Sequence, residues 1–492
     1  MHRIISCGLV ALLYCPIVTL AAQAGERMNV LFIAVDDLRP ELGCYGSPAQ
    51  SPHIDQLAAE GTLFERAYVQ CALCMPSRAS VLTGRRPDTT GVVDFSIPFR
   101  EVIPDVLTLP QLFKNNGYEA LAFGKIFHNN DSRSWSEPRW KSDRPEYHTE
   151  FGKQVLKWIK EDHRRLTYVW DLGDGITKTK RPGGLAWEAP EVPDSALRDG
   201  HIADAAIEKL ATLAEKPFFL AVGFHKPHLP FIAPKKYFDL YDPDDIEPAP
   251  NPDPPEAAPN FATYNWNDLR HYYGIPDVGP VSADQARDLK HAYFACVSYM
   301  DAQVGRVLYS LAENGLAQNT VVVLWGDHGW QLGEHGMWDK HSNYETSTHA
   351  PLIVRVPGQK PGRSRALVEF VDIYPALAEL CDLPLDPSLE GSSFAPLIRD
   401  PDRSWKKAAF SQYRRVIPGY GDVSRGMGYS MRTDRYRITE WVVPGTDFSA
   451  VELYDHETDS EENRNIANRT ENADLVSSLL EKLHAGWKAQ IP

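Results

Sequence analysis

The residues best placed to do chemistry in this 492-residue chain lie in one segment, Cys74-Met75-Pro76-Ser77-Arg78-Ala79-Ser80-Val81-Leu82-Thr83-Gly84-Arg85. Pro76 suits a first helical turn, where its missing N–H costs little, and Gly84 follows Val81 and Leu82 as a stop. A helix from about Pro76 to Thr83 is predicted, with Cys74 just ahead of its N-terminus. Unpaired backbone N–H groups and the helix dipole favour an anion there. Arg78, on the second turn, adds a full positive charge. A lone cysteine is more often a small buried residue. What sets this one apart is the order around it, C-x-P-S-R followed by L-T-G-R.

Two further sets of reactive side chains follow apolar runs. The runs are Asn29–Val35, Tyr118–Phe123, Phe218–Val222 and Thr320–Leu324. Continuous Val, Ile, Leu and Phe suit strands buried on both faces of a parallel sheet. Ligands in such sheets bind outside the carboxyl ends of the strands. Asp36, Asp37, Asp327 and His328 stand at two of those ends. Three carboxylates in one site repel one another and shift toward protonation. A divalent cation removes that conflict, and oxygen-rich donors favour calcium or magnesium. Arg78, Lys125, His128, His228 and Lys340 form the basic set. Ammonium, guanidinium and imidazole groups can bind an anionic ester and move its protons, where carboxylates would repel it.

The elements that must position these groups are legible around them. Ser51 and Pro52 open a predicted helix with Ile54, Leu57 and Ala58 inward and Gly61 as its stop. Ser282 to Asn314 carries Leu289, Tyr293, Cys296, Val297, Met300, Val304, Val307 and Leu311 at helical spacing. Tyr241 to Pro280 is dense in proline and reads as a long surface loop. After about Pro401, Met427 to Trp441 alternates around Asp434 like an antiparallel hairpin. Glu452-Leu453-Tyr454-Asp455 and a helix with Leu475, Leu479, Leu480, Leu483 and Trp487 complete the chain. The expected fold class is α/β: a large, mostly parallel sheet flanked by helices, with a smaller C-terminal α+β subdomain. The expected division is 1–24 signal peptide, 25–400 catalytic domain and 401–492 C-terminal subdomain.

Composition narrows the partners. Lysine and arginine total 51 against 66 aspartates and glutamates, a formal net charge of −15. That balance argues against nucleic acid, and it opposes a polyanion at long range, so any anion-binding charge must be local. Met1-His2-Arg3, the apolar run Ile4 to Leu20 and Ala22-Gln23-Ala24 have the layout of a cleaved export signal. Secretion or periplasmic location is expected, with no stable membrane insertion. Oxidising surroundings permit disulfides. Cys44, Cys71, Cys296 and Cys381 allow three full pairings, which the sequence leaves open.

The segment from Cys74 to Arg85 resembles the motif of type I sulfatases, whose cysteine is oxidised after translation to formylglycine. Gly124-Lys125-Ile126-Phe127-His128, Asp327-His328-Gly329-Trp330, Gly223 to Phe231 and Gly333 to Lys340 are similar to one branch of that family, the iduronate-2-sulfatase branch. The similarity runs from Val30 to the terminal helix. It implies an alkaline-phosphatase/sulfatase-like fold and hydrolysis of a sulfate ester on a carbohydrate, with the 2-O-sulfate of a uronic acid as the expected substrate. It implies a metal site of Asp36, Asp37, Cys74, Asp327 and His328, with Ca2+ preferred to Mg2+, and a maturation enzyme that generates formylglycine from Cys74. It also implies that Arg78 and Lys125 hold the nucleophile and sulfate, that His228 or Lys340 protonates the leaving oxygen, and that His128 releases sulfate. Lys125, His228 and Lys340 are the expected substrate-binding residues. The alternatives are a phosphate or phosphonate monoester hydrolase of the same superfamily, and a carbohydrate-binding pseudoenzyme whose Cys74 is never converted.

Overall fold

A computed structural model describes residues 27–161, 168–171, 177–180, 183–213, 215–263, 267–277, 279–420 and 426–490. The expected export signal at 1–24 lies outside them. In chain order the main elements are β1 (Asn29–Val35), α1 (Pro52–Glu60), β2 (Thr62–Tyr68), α2 (Cys74–Thr83), α3 (Leu109–Asn115), β3 (Glu119–Gly124), α4 (Glu150–Glu161) and α5 (Arg198–Leu210). They continue with β4 (Phe218–Phe224), α6 (Ala283–Glu313), β5 (Thr320–Gly326), β6 (Leu352–Arg355), β7 (Gly362–Glu369) and α7 (Ile373–Leu380).

The seven strands form one sheet in the order β7-β2-β6-β5-β1-β4-β3. The four strands expected from apolar runs are contiguous in it and mutually parallel. Only β6 runs against its neighbours β5 and β2. Side chains alternate between two cores, as strand geometry requires. Leu31, Ile33 and Val35 join α1, α5 and α6 on one face. Val30, Phe32 and Ala34 join α2, α3 and α7 on the other. This is an alkaline-phosphatase/sulfatase-like arrangement, a central sheet of mixed direction clad by helices.

Register sets where the reactive residues stand. Val35 pairs with Gly326 on one side and Phe224 on the other, and Gly124 pairs with Gly223. Asp36, Lys125, His225 and Asp327 are therefore the first residues beyond the same edge. Close approach there needs glycine: a Cβ on Gly223 would sit 2.0 Å from the Lys125 carbonyl oxygen.

Two helix starts differ from expectation. Leu73 is extended and α2 begins at Cys74, two residues before the predicted start, so Pro76 occupies the third position rather than the first. Its missing N–H is still one of the unbonded donors of the first turn. Gly84 ends the helix in the left-handed region, φ 63°, with its N–H bonded to the Ser80 carbonyl. Ser51 precedes α1 but its side chain does not cap it. The Asp301 carboxylate of α6 does so instead, accepting from the N–H groups of His53 and Ile54 at 3.2 and 2.7 Å. A tertiary partner has replaced the local one. Helix α6 itself opens with the capping box Ser282/Gln285.

Beyond residue 400, strands β8 (Ala408–Arg415), β9 (Gly426–Thr433), β10 (Tyr436–Val442) and β11 (Ser449–Asp455) form an antiparallel sheet in chain order, followed by α8 (Ala473–Ala485). The β9–β10 hairpin turns at Asp434, as expected. Met431, Ile438, Leu453, Leu479 and Leu483 make its core. The proline-rich stretch carries only short turns of helix and a two-residue strand among its described residues. Cys44, Cys71, Cys74, Cys296 and Cys381 are all unpaired thiols, and Cys296 is a core residue. Among the described residues no helix is long and apolar enough to cross a membrane.

Candidate active site

Cys74 sits at the first position of α2, only 2% exposed. Its sulfur lies 3.2 Å from His328 Nε2 and 3.9 Å from Asp37 Oδ1. Burial pushes the thiol well up, against the pull of Lys125 and Lys340. The thiol is therefore protonated at neutral pH, which makes it a poor nucleophile as it stands.

The acidic set converges. Oxygens of Asp36, Asp37 and Asp327 all lie within 4.8 Å of one another, and each residue is buried. Asp37 takes the left-handed backbone, φ 58°. Its N–H donates to Asp327 Oδ1 at 3.0 Å, and its carbonyl accepts from the Tyr293 hydroxyl at 2.8 Å. Burial, reinforced by Asp36 and Asp327 and opposed by Lys340, raises the Asp37 carboxyl well above the usual range. Asp36 goes the other way: despite burial, Lys125, His228 and Arg78 hold it well below.

His328 is fully buried, and Nδ1 lies 2.9 Å from the Gly329 carbonyl, which makes Nδ1 the protonated nitrogen. Burial keeps the ring neutral, its pKa pushed down to about 4. The Nε2 lone pair then faces Asp37 and Asp327 at 3.5 and 3.6 Å. A neutral imidazole with its second nitrogen fixed is a ligand in waiting.

The basic residues divide into two groups. Arg78 is sealed: Nε bonds Asp327 at 2.7 Å, Nη2 meets Asp36 at 3.3 Å, and Nη1 donates to the carbonyls of Lys125 and Ile126. Ser77 adds a hydroxyl bond to the Asp327 carbonyl. This guanidinium orders the carboxylates and the β3 loop. Lys125 Nζ meets Asp36 at 2.5 Å and keeps 15% of its side chain exposed. Lys340 Nζ lies between Asp37, at 3.2 Å, and Asp268, at 3.0 Å, and 5.0 Å from the Trp330 ring centroid. Against burial, Asp268 and Asp37 hold it firmly as an ammonium.

His228 is half-buried, with Nδ1 2.5 Å from the Leu229 carbonyl and Nε2 3.8 Å from Asp37. Its loop is anchored from behind. Asp199 accepts from the N–H groups of His225 and Lys226, and Lys226 Nζ reaches the carbonyls of His228 and Pro230. His128 stands at the rim, exposed, with its ring 4.8 Å from Phe95 and Nδ1 3.4 Å from Asn129. The other predicted residues form one connected network; His128 stands beside it.

Sequence reasoning missed Asp268, which enters from the proline-rich loop and supplies the second carboxylate on Lys340. No local pattern marks it, because its significance comes from a lysine 72 positions away. Tyr293 was read as core, and its hydroxyl also secures the Asp37 backbone.

The sulfatase family matches residues 28–383, and the family described as N-sulphoglucosamine sulphohydrolase, C-terminal, matches 333–489. The chain is 36% identical to human iduronate 2-sulfatase over 543 aligned residues, covering 94% of this chain and 95% of that protein. It is 32% identical to a sulfatase of Formosa agariphila, covering 94% and 88% respectively. Among solved structures, the phosphonate monoester hydrolase of Silicibacter pomeroyi superposes with a TM-score of 0.72 at 23% identity, over 94% of this chain and 96% of that one. At that identity the likeness establishes the fold alone.

Proposed function

We propose, for a chain that belongs to the sulfatase family and is a sulfuric ester hydrolase, that the ester it cleaves is a 2-O-sulfate on a uronic acid of a saccharide chain. The observation that carries the chemistry is Cys74 on the first turn of a buried helix, beside His328 and Asp37. The identity to human iduronate 2-sulfatase across nearly the whole of both chains supports the sugar.

The donor set fits a hard divalent cation. Three carboxylates are buried together, and burial, reinforced by the other two, drives Asp37 toward protonation. His328 offers a lone pair to the same point. Asp36, Asp37, Asp327, His328 and position 74 would hold Ca2+, in preference to Mg2+, and the ion would supply positive charge against the sulfate oxygens. Conversion of Cys74 to formylglycine by a maturation enzyme would supply a hydrated aldehyde as the oxygen nucleophile, in place of a thiol that burial keeps protonated.

The chain's own side chains do the rest. Arg78 spends its donors on Asp327, Asp36 and two carbonyls, so its task is to fix the carboxylates rather than to grip substrate. Lys125 and Lys340 present ammonium groups to the sulfate. The Nδ1–H of His228 is committed to Leu229 and burial lowers the ring's pKa well below the usual imidazole range, so Nε2 faces the site as a lone pair and would carry a proton to the departing sugar oxygen only after taking one up as imidazolium. Lys340, locked as an ammonium, is the second candidate for that step. His128, at the rim, would accept a proton from position 74 as sulfate leaves. The C-terminal unit after about residue 400 is proposed as a separate subdomain, and the enzyme as secreted or periplasmic.

Peptide mass spectrometry of active protein tests the nucleophile: formylglycine or its hydrate is expected at position 74, and full activity with an unmodified thiol would overturn it. Initial rates on aryl sulfate and aryl phosphate separate a sulfatase from a phosphate or phosphonate hydrolase. A panel of sulfated uronic-acid and fucose oligosaccharides tests the sugar, and cleavage of fucose sulfates alone would overturn the substrate.

A further inference from the structure

We propose that an exposed aromatic cluster on α4 and the loop beyond Asp268 is a second saccharide-binding surface, taking the faces of pyranose rings further along the chain whose sulfate is cleaved. The proposal rests on the carbohydrate-sulfatase reading above. Phe151 and Trp158 are seven residues apart on α4, so two helical turns place them on one flank, while Val155 and Ile159 face inward. Tyr273 closes on both, with ring centroids 6.3 Å from Phe151 and 6.4 Å from Trp158. The three rings are 54, 42 and 43% exposed. Trp187, 39% exposed, lies across a cleft of about 520 Å³ that Phe151 and Tyr273 also line. A contiguous exposed patch of large apolar rings marks an interaction site more often than an accident of folding.

Three observations choose a sugar as the occupant. The cleft wall carries Thr149, Glu188, Gln285 and Asp288 among its rings. Ring faces carry negative potential that suits the C–H bonds of a pyranose, and hydroxyls suit the polar wall. Charge gives the second reason. A surface of net charge −15 opposes a sulfated chain at long range, and stacking holds sugar rings without needing positive charge. Position gives the third. Asp268 touches Lys340 at 3.0 Å, and Tyr273 is five residues further on, hence at most about 18 Å from Asp268 along the chain. A chain with its sulfate at Lys340 could therefore reach the rings.

The test uses the full-length enzyme and the double variant Trp158→Ala/Tyr273→Ala, whose side chains lie outside the catalytic network. Binding is measured by calorimetry to hexasaccharides of chemically desulfated heparin, chondroitin and fucan, which bypass the sulfate site. Turnover of 4-nitrophenyl sulfate is followed in parallel. Wild type should bind at least one hexasaccharide, and the double variant at least ten-fold more weakly, with aryl sulfate turnover and melting temperature unchanged. Equal binding by both proteins, or wild-type binding to none of the three, would overturn the proposal. So would a wild-type dimer that the variant converts to monomer without any change in sugar affinity, since the patch would then be a self-association face. Loss of aryl sulfate turnover in wild type with sugar binding intact would instead overturn the catalytic reading and leave this surface standing.

Discussion

Two clusters of buried charge can be compared directly, and they are built to opposite ends. One is the proposed catalytic network of Asp36, Asp37 and Asp327 with Arg78, Lys125 and Lys340. The other lies where β7 meets the C-terminal sheet: Glu369 and Asp372 with Arg86 and Lys406. Every carboxylate oxygen of the second cluster is occupied. Glu369 accepts both Arg86 terminal nitrogens at 2.8 Å, Lys406 at 2.9 Å and the Phe410 N–H at 2.9 Å. Despite burial, Arg86 and Lys406 hold its pKa down to about 2. Asp37 has one ammonium, at 3.2 Å, and burial, reinforced by two repelling carboxylates, drives its pKa up. A buried charge that is fully paired ties two layers together. One left short of donors costs stability and keeps a place for a ligand.

Substitutions should separate the two sharply. The largest effect expected is on turnover: Cys74→Ser should lower the aryl sulfate rate by about 10⁴-fold or more, with melting temperature nearly unchanged. A serine that retained more than a hundredth of the activity would contradict the formylglycine role. Next comes Glu369→Gln, which strands Arg86 and leaves Lys406 with Asp372 alone, and should cost about 3–5 kcal/mol in denaturant titration, with turnover per folded molecule preserved. Its pH signature has a defined sign. A carboxyl at about 2 when folded, against 4.5 when unfolded, contributes stability above pH 4.5. That contribution, about 3 kcal/mol, is lost as pH falls through 2, so the variant should show a flatter acid limb. Asp372, raised by burial, opposes part of this from the same cluster.

The cation supplies the test that reverses sign. At a hundred-fold excess over its Kd, calcium should stabilise wild type by about 2.7 kcal/mol, and Asp37→Asn should lose most of that gain along with activity. In chelator the same variant should melt no lower than wild type, because it removes a repelled carboxyl rather than a satisfied one. If Asp37→Asn without calcium were as destabilising as Glu369→Gln, the two clusters would be alike and the comparison would fail.

What the sequence disclosed follows the same division. Residues at strand ends were legible because a run such as Asn29–Val35 announces both its burial and its terminus, and the four runs are contiguous in the sheet. The start of α2 was placed two residues late because Pro76 is tolerated through the whole first turn, not only at its first position. Ser51 stands where a capping side chain would, but a distant carboxylate, Asp301, takes the first-turn N–H groups instead. β6 went unseen, since four residues with no alternation carry little signal. The Glu369 cluster was invisible for a physical reason: Arg86 and Glu369 are 283 positions apart, and nothing local to either demands the other. The site residues are announced by the apolar runs they follow; structural pairing across a seam is written only in the fold.

The smallest effect expected is at a third ion pair, Arg414–Asp94, which bridges the same seam at 2.6 Å with both side chains about a third exposed. Arg414 comes from β8 and Asp94 from the loop after α2, so by connectivity it resembles the Glu369 cluster. By environment it does not, because water screens both partners and competes for their hydrogen bonds. Asp94→Asn should therefore cost under about 1 kcal/mol, and that cost should shrink further in 0.5 M salt, where screening acts within a few ångströms. The cost of Glu369→Gln should barely respond to the same salt. A loss at Asp94 equal to that at Glu369, or equal salt sensitivity at the two, would show that spanning the seam matters more than being buried in it. The contrast with the catalytic cluster would then need a cause other than the filling of buried acceptors.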